Sequence, residues 1–187
     1  MPGRTPQEAV QAFLRPFTEG LKLLEGHARI TVTPRSPYRK GVVYRWSLND
    51  ERGLELSNTG TFYASMNFEV IDSVPAEHDE EHQGLYRCTT RGYNYKLSTP
   101  RGADLWRMHW HPVGTSPEKG PHLHLPPDLT RHLPTGRFTF EHALTWLAEY
   151  DAPLRVAPDE MKRRLAELEA PHILHRTWTS NPGEARG

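Results

Sequence analysis

Residues 106 to 125, WRMHWHPVGTSPEKGPHLHL, carry four of the chain's eleven histidines as two His-x-His pairs, His109 with His111 and His122 with His124. Along a β-strand successive side chains alternate between faces, so residues two apart point the same way. In the first pair's segment the even positions Trp106, Met108 and Trp110 are large and apolar, whereas Arg107, His109 and His111 share the odd positions with Leu105. The tryptophans mark the core side, and Arg107, His109 and His111 then project together from the other side. The second pair follows the same rule, with Leu123 and Leu125 on one face and His122 and His124 on the other. The connection between the pairs contains Gly114, Pro117, Gly120 and Pro121. If it turns the chain back on itself, the two histidine faces converge. Counting His132, residues 109 to 132 hold five histidines.

Imidazoles so placed can do two kinds of chemistry. Histidine titrates near neutrality, so His109, His111, His122 and His124 can share acid and base roles. With Arg107 and Lys119 binding phosphate, that suffices to cleave RNA through its own 2'-hydroxyl, and no cofactor is required. Alternatively the same four histidines hold zinc or another divalent transition metal, since neighbours two apart on a strand can both reach one ion. No carboxylate is assigned to such a site; Glu69 or Asp104 approaches only if folding brings it, and Asp104 has the wrong parity for the face. A module that uses the histidines to hold a structural metal or a partner protein is the non-enzymatic counterpart. A water-facing sheet side on which histidine is merely tolerated is the plainest reading.

Other reactive side chains are weaker candidates. Cys88 alternates with Tyr86 and reads as buried, and no neighbouring base is identified for it. Tyr93 and Tyr95 could stack on bases, but a β-rich core also needs aromatics. His78 and His82 sit in PAEHDEEHQG, which lacks large apolar residues and reads as a solvated loop. No phosphate-cradling glycine loop, serine-hydrolase elbow or dinucleotide fingerprint is present.

The elements that must position the histidines are of both kinds. TPQEAVQAFLRPFTEGLKLLEG begins with Thr5 and Glu8 spaced as a capping box, with Pro6 at the first turn and Val10, Phe13, Leu14 and Phe17 forming an apolar stripe. Pro16 should kink or split this helix. ARITVTP, GVVYRWSL and SMNFEVIDSV then alternate as antiparallel strands. In LYRCTTRGYNYKLST the apolar parity switches near Gly92, which calls for a turn or a bulge. Two helices follow the histidines, one capped by Thr139 and one that starts at Pro158 and is stopped by Pro171. The fold class is α+β: an N-terminal helix, a curved antiparallel sheet of about five to seven strands, and two C-terminal helices packed on its apolar face.

At 187 residues the chain suits one domain, read here as residues 1–178 with a frayed, disordered tail at 179–187. Twenty-three basic residues balance twenty-three acidic ones, so the whole-molecule field selects neither nucleic acid nor anionic membrane. No segment approaches the roughly 20 apolar residues of a membrane helix. A single cysteine and the lack of an apolar leader point to a cytoplasmic protein.

HWHP and GPHLHL, followed by TFEHALTWLAEY, stand in the order in which the TumE-like toxin family of prokaryotic toxin-antitoxin modules carries a histidine doublet after a strand, a short connection, a Pro-His cluster and a helix. Residues 84–150 resemble that family. The resemblance matches His109 or His111 to the first cluster and His122 and His124 to the second. It implies an intracellular toxin acting on RNA, with a helix-turn-helix antitoxin as protein partner.

Overall fold

The computed structural model describes residues 2–73, 84–113 and 118–174. These form an α+β architecture in the order α1 (Pro6–Leu21), β1 (Ile30–Thr33), β2 (Val43–Leu48), β3 (Leu54–Leu56), β4 (Gly60–Asp72), β5 (Tyr86–Ser98), β6 (Asp104–Trp110), β7 (His122–Leu125), β8 (Asp128–Pro134), α2 (Phe140–Glu149) and α3 (Pro158–Leu174). The sheet is an antiparallel meander, β1-β2-β4-β5-β6-β7-β8, with β3 paired to β4 beside it. All three helices pack on one face, which leaves the histidine face of β6 and β7 on the opposite side.

Apolar alternation explains which face is covered. Tyr44, Trp46 and Leu48 of β2, Phe62, Met66 and Phe68 of β4, Tyr95 and Leu97 of β5, and Trp106, Met108 and Trp110 of β6 are all buried. They meet Phe13 and Phe17 of α1 and Phe140 of α2; Phe17, for instance, lies 5.5 Å from Trp46 and 5.4 Å from Phe140 between ring centroids. Cys88 belongs to this core, and burial pushes its thiol up to about 12.

Local signals set the helix starts. The Thr5 hydroxyl accepts the Glu8 amide at 3.2 Å, while the Glu8 carboxylate reaches past the cap to accept the Arg4 amide at 2.8 Å. At α2 the Thr139 hydroxyl accepts the His142 amide at 3.1 Å, and His142 Nδ1 accepts the Thr139 amide at 3.3 Å, so histidine replaces glutamate in the reciprocal box. The two interior prolines act differently from expectation. Pro16 is buried inside an unbroken α1, and α3 runs through Pro171 to Leu174. Proline removes one hydrogen bond, and packing outweighs that loss here: His172, one residue beyond Pro171, stacks on Phe17 at 4.6 Å and 5°.

Tertiary pairing also adds two strands, β3 and β8, to those legible from alternation. β8, DLTRHLP, is largely exposed and reads locally as a polar connection. It holds as a strand because Leu133 pairs with Leu123 and Asp128 with Leu125 across the turn at Pro126–Pro127. The parity switch near Gly92 is a bulge within a continuous β5: Asn67 pairs with Gly92 and Phe68 with Thr90, leaving Arg91 as the extra residue. The segment holding His78 and His82 and the C-terminal tail lie outside the described residues. Among the described residues no helix is long and apolar enough to cross a membrane.

Candidate functional site

Antiparallel pairing of β6 with β7 sets the register Arg107↔His124, Met108↔Leu123 and His109↔His122. Directly paired residues share a face, so both His-x-His pairs converge on the uncovered side. His122 is the hub. Its ring centroid lies 5.5 Å from His109, 5.1 Å from His111, 5.0 Å from His124 and 4.7 Å from His132. His132, from β8, also lies 4.7 Å from His124.

Two overlapping groups result. In His109, His111 and His122, one ring nitrogen from each residue lies within 4.8 Å of the others, and the same holds for His122, His124 and His132. Each group could hold a metal ion. His122 and His124 are buried, His109 and His111 are half-buried, and His132 is exposed, so the cluster runs from solvent at β8 to an enclosed centre. His132 was within reach of sequence reasoning as a neighbour of the cluster but was not assigned to it. Its face depended on the pairing of Leu133 with Leu123, which requires recognising β8.

His122 is held by its own approach segment. Its Nδ1 lies 2.9 Å from the Gly120 carbonyl oxygen, and the Gly120 amide donates to Glu118 Oε1 at 2.7 Å. A carbonyl can only accept, so the proton sits on Nδ1 and Nε2 keeps its lone pair. That Nε2 is buried and has no hydrogen-bond partner among the described residues. Outer-sphere orientation of this kind is usual for metal-ligating histidine. The Gly120 carbonyl supplies it, and Glu118, absent from the reading of the sequence as a site residue, holds the Gly120 amide.

At His109, His111 and His124 burial, aided by neighbouring charge, disfavours the protonated ring. Burial, reinforced by His124, His122, His111 and Arg107, pushes His109 down to about 3. Burial is also the largest cause lowering His111 and His124, helped by neighbouring imidazoles; Lys119 further lowers His111 while Glu118 partly offsets it. Histidines that cannot hold protons together present lone pairs.

The two expected phosphate ligands, Arg107 and Lys119, both stand beside the histidines. Arg107 does share the histidine face, but its guanidinium donates to Asp104, whose side chain is only 6% exposed and also lies 3.5 Å from Lys96. One carboxylate is thus shared by two cations, and the group as a whole stays positive. Asp104 was assigned the wrong parity: the register slips between Leu97↔Trp106 and Ser98↔Asp104, and this irregularity turns Asp104 toward Ser98, whose hydroxyl donates to it at 2.6 Å. Glu69 pairs with Arg91 at 2.8 Å and is not part of either histidine group. Lys119 is exposed and stands beside His111. The aromatic candidates Tyr93 and Tyr95 lie in the core, stacked 4.9 Å apart, with the Tyr93 hydroxyl accepting the Phe138 amide at 2.8 Å.

Compared with protein-family models, with curated proteins and with solved structures, the chain has no match, so the reading of this site rests on its own geometry.

Proposed function

We propose that the histidine face is a transition-metal site, zinc being the first metal to test, and that the bound ion serves the hydrolysis of a phosphodiester. The observation that carries the metal reading is the arrangement around His122: its Nδ1 is tethered to Gly120 and its Nε2 stands among imidazoles whose ring nitrogens lie within 4.8 Å of one another in each group. Such a donor set suits zinc and its neighbours, and it holds an ion through three imidazoles while leaving coordination open. A metal so held supplies a Lewis acid for a phosphoryl oxygen and lowers the pKa of coordinated water.

The chain's own residues divide the remaining work. His109, His111 and His122 hold the ion beside the open sheet face, Glu118 and Gly120 fix the tautomer of His122, and His132 is the solvent-side imidazole of the second group. Because both groups share His122, whose Nδ1 is engaged by Gly120, they are alternative positions for one ion rather than two independent sites. The metal-free alternative uses the same histidines as acid and base. It requires a protonated imidazole at neutral pH, which burial and mutual repulsion oppose at His109, His111 and His124.

The resemblance over residues 84–150 makes RNA the first phosphodiester to assay, and a helix-turn-helix antitoxin in the cytoplasm the partner that would neutralise a toxin-like activity. The test is equilibrium dialysis of purified protein against zinc, followed by RNA cleavage with and without EDTA. One ion per chain, lost in His122→Ala, with cleavage that EDTA abolishes, is the expected result. Cleavage that survives in rigorously metal-free protein and vanishes in His109→Ala would return the site to acid/base chemistry. Failure to take up zinc would overturn the metal reading.

A further inference from the structure

The uncovered face extends beyond the histidines. Beside His109 and His111 lies a cleft of about 230 Å³, lined by Arg45, Asn67, Asn94 and the backbone around Gly92. It adjoins a second hollow of about 180 Å³ that shares Arg45 and Asn94 and continues along β2, β4 and β5 past Ser47, Ser65 and Lys96. Strand register places these residues in rows that lead to the histidines: Arg45 pairs with Asn67, Asn67 with Gly92, and Asn94 with His109, which in turn pairs with His122. Gly92 brings no side chain to its row, so the space between Asn67 and the histidines stays open. We propose that this cleft is an anion subsite that binds the phosphoryl group of a phosphoester, with Arg45 as its cation and Asn67 and Asn94 as amide donors.

Three features favour an anion there. No carboxylate lines the cleft itself. Neither Asn67 nor Asn94 makes a side-chain hydrogen bond among the described residues, so both amide groups have donors to offer a ligand. Among the described residues Arg45 makes one ion pair, with Glu51 at 3.1 Å, and that carboxylate is 67% exposed. Exposed pairs of this kind are weak and exchange readily, whereas a planar guanidinium can bind phosphate through two parallel hydrogen bonds. Arg107, by contrast, is tied to the nearly buried Asp104. The subsite deepens the metal reading, on which its link to hydrolysis rests: His109, His111 and His122 would hold the ion that supplies the Lewis acid, while Arg45 would hold a phosphoryl oxygen in the adjoining cleft.

The experiment is titration of inorganic phosphate, and separately acetate, into zinc-loaded and metal-free protein by calorimetry. Phosphate is expected to bind both forms, more tightly with zinc, and to outcompete acetate. Arg45→Gln should weaken phosphate about fivefold or more, as loss of a charge-assisted pair implies. Glu51→Gln should tighten it roughly twofold by releasing Arg45 from a competing exposed pair. Neither change should alter zinc stoichiometry. Arg29→Gln, which removes equal charge at a residue that does not line the cleft, should leave phosphate binding unchanged. Phosphate affinity equal in Arg45→Gln and wild type, or no phosphate binding to either form, overturns the subsite even if zinc binds stoichiometrically. Arg45-dependent phosphate binding in a protein that takes up no zinc would leave the subsite standing and remove the metal reading.

Discussion

At the scale of single residues, His122 concentrates the site. It belongs to both metal-competent groups, and its orientation is set from outside by Gly120 and Glu118. His122→Ala should therefore abolish zinc uptake, whereas His132→Ala, which leaves the His109–His111–His122 group whole, should retain it; dialysis of the two variants decides this. Glu118→Ala should lower zinc affinity by about 10-fold, the lower end of effects seen when the support of a metal-binding histidine is removed. A Glu118→Ala protein with wild-type affinity would show that the Gly120 carbonyl orients His122 unaided. Cys88 behaves in the opposite sense. Burial holds its thiol up near 12, so it should resist thiol reagents in the native protein at pH 8 and react only after unfolding.

At the scale of elements, two kinds of information met with different success. Alternation in β6 was legible because three bulky apolar side chains at every second position leave only one way to bury the strand. The facing of His109 and His111 followed at once. The facing of Asp104 did not, because Leu105 is an extra residue in the pairing beyond Leu97 and reverses parity, and Pro100 and Gly102 mark only the turn before it. β8 was missed for a related reason: its exposed, polar sequence gains strand geometry only from pairing with β7. Helix starts were readable because their capping groups are local. Thr139→Ala removes the hydroxyl that accepts the His142 amide and should destabilise the protein by about 1 kcal/mol, measurable as a lower urea midpoint with unchanged slope. Helix ends were less readable. Pro171 fails to stop α3 because His172 is inserted among Phe13 and Phe17, a contact between opposite ends of the chain.

At the scale of the whole molecule, the same core encloses an acid. Glu141 of α2 is 2% exposed and lies 3.8 Å from the ring of His172 on α3. Burial, with Glu169 adding repulsion, raises its carboxyl from 4.5 to about 8. The folded state thus holds this proton more tightly than the unfolded chain does. Stability from that protonation is fully present below about pH 4.5 and declines as pH rises through about 8. Glu141→Gln, which keeps the shape and removes the charge, should flatten this decline. Its melting temperature should exceed that of the wild type at pH 9, with the difference shrinking toward pH 6. Equal pH dependence in the two proteins would show that Glu141 is hydrated or paired when ionised. The buried pair also ties the C-terminal helix to the sheet through α2, on the face opposite the histidines.

The sequence by itself determined the α+β class, the helix starts, the core side of β6 and the clustering of histidines between residues 109 and 132, because each depends on side chains a few positions apart. Tertiary structure decided the rest. It brought His132 into the cluster, turned Asp104 onto Arg107, set Asn94 of β5 in the strand row of His109 and His122, and placed Arg45 of β2 and Asn67 of β4 in the row beside it that ends at Gly92. These relations arise from hydrogen-bonded pairing between distant strands, where a slip of one residue moves a side chain to the other face of the sheet.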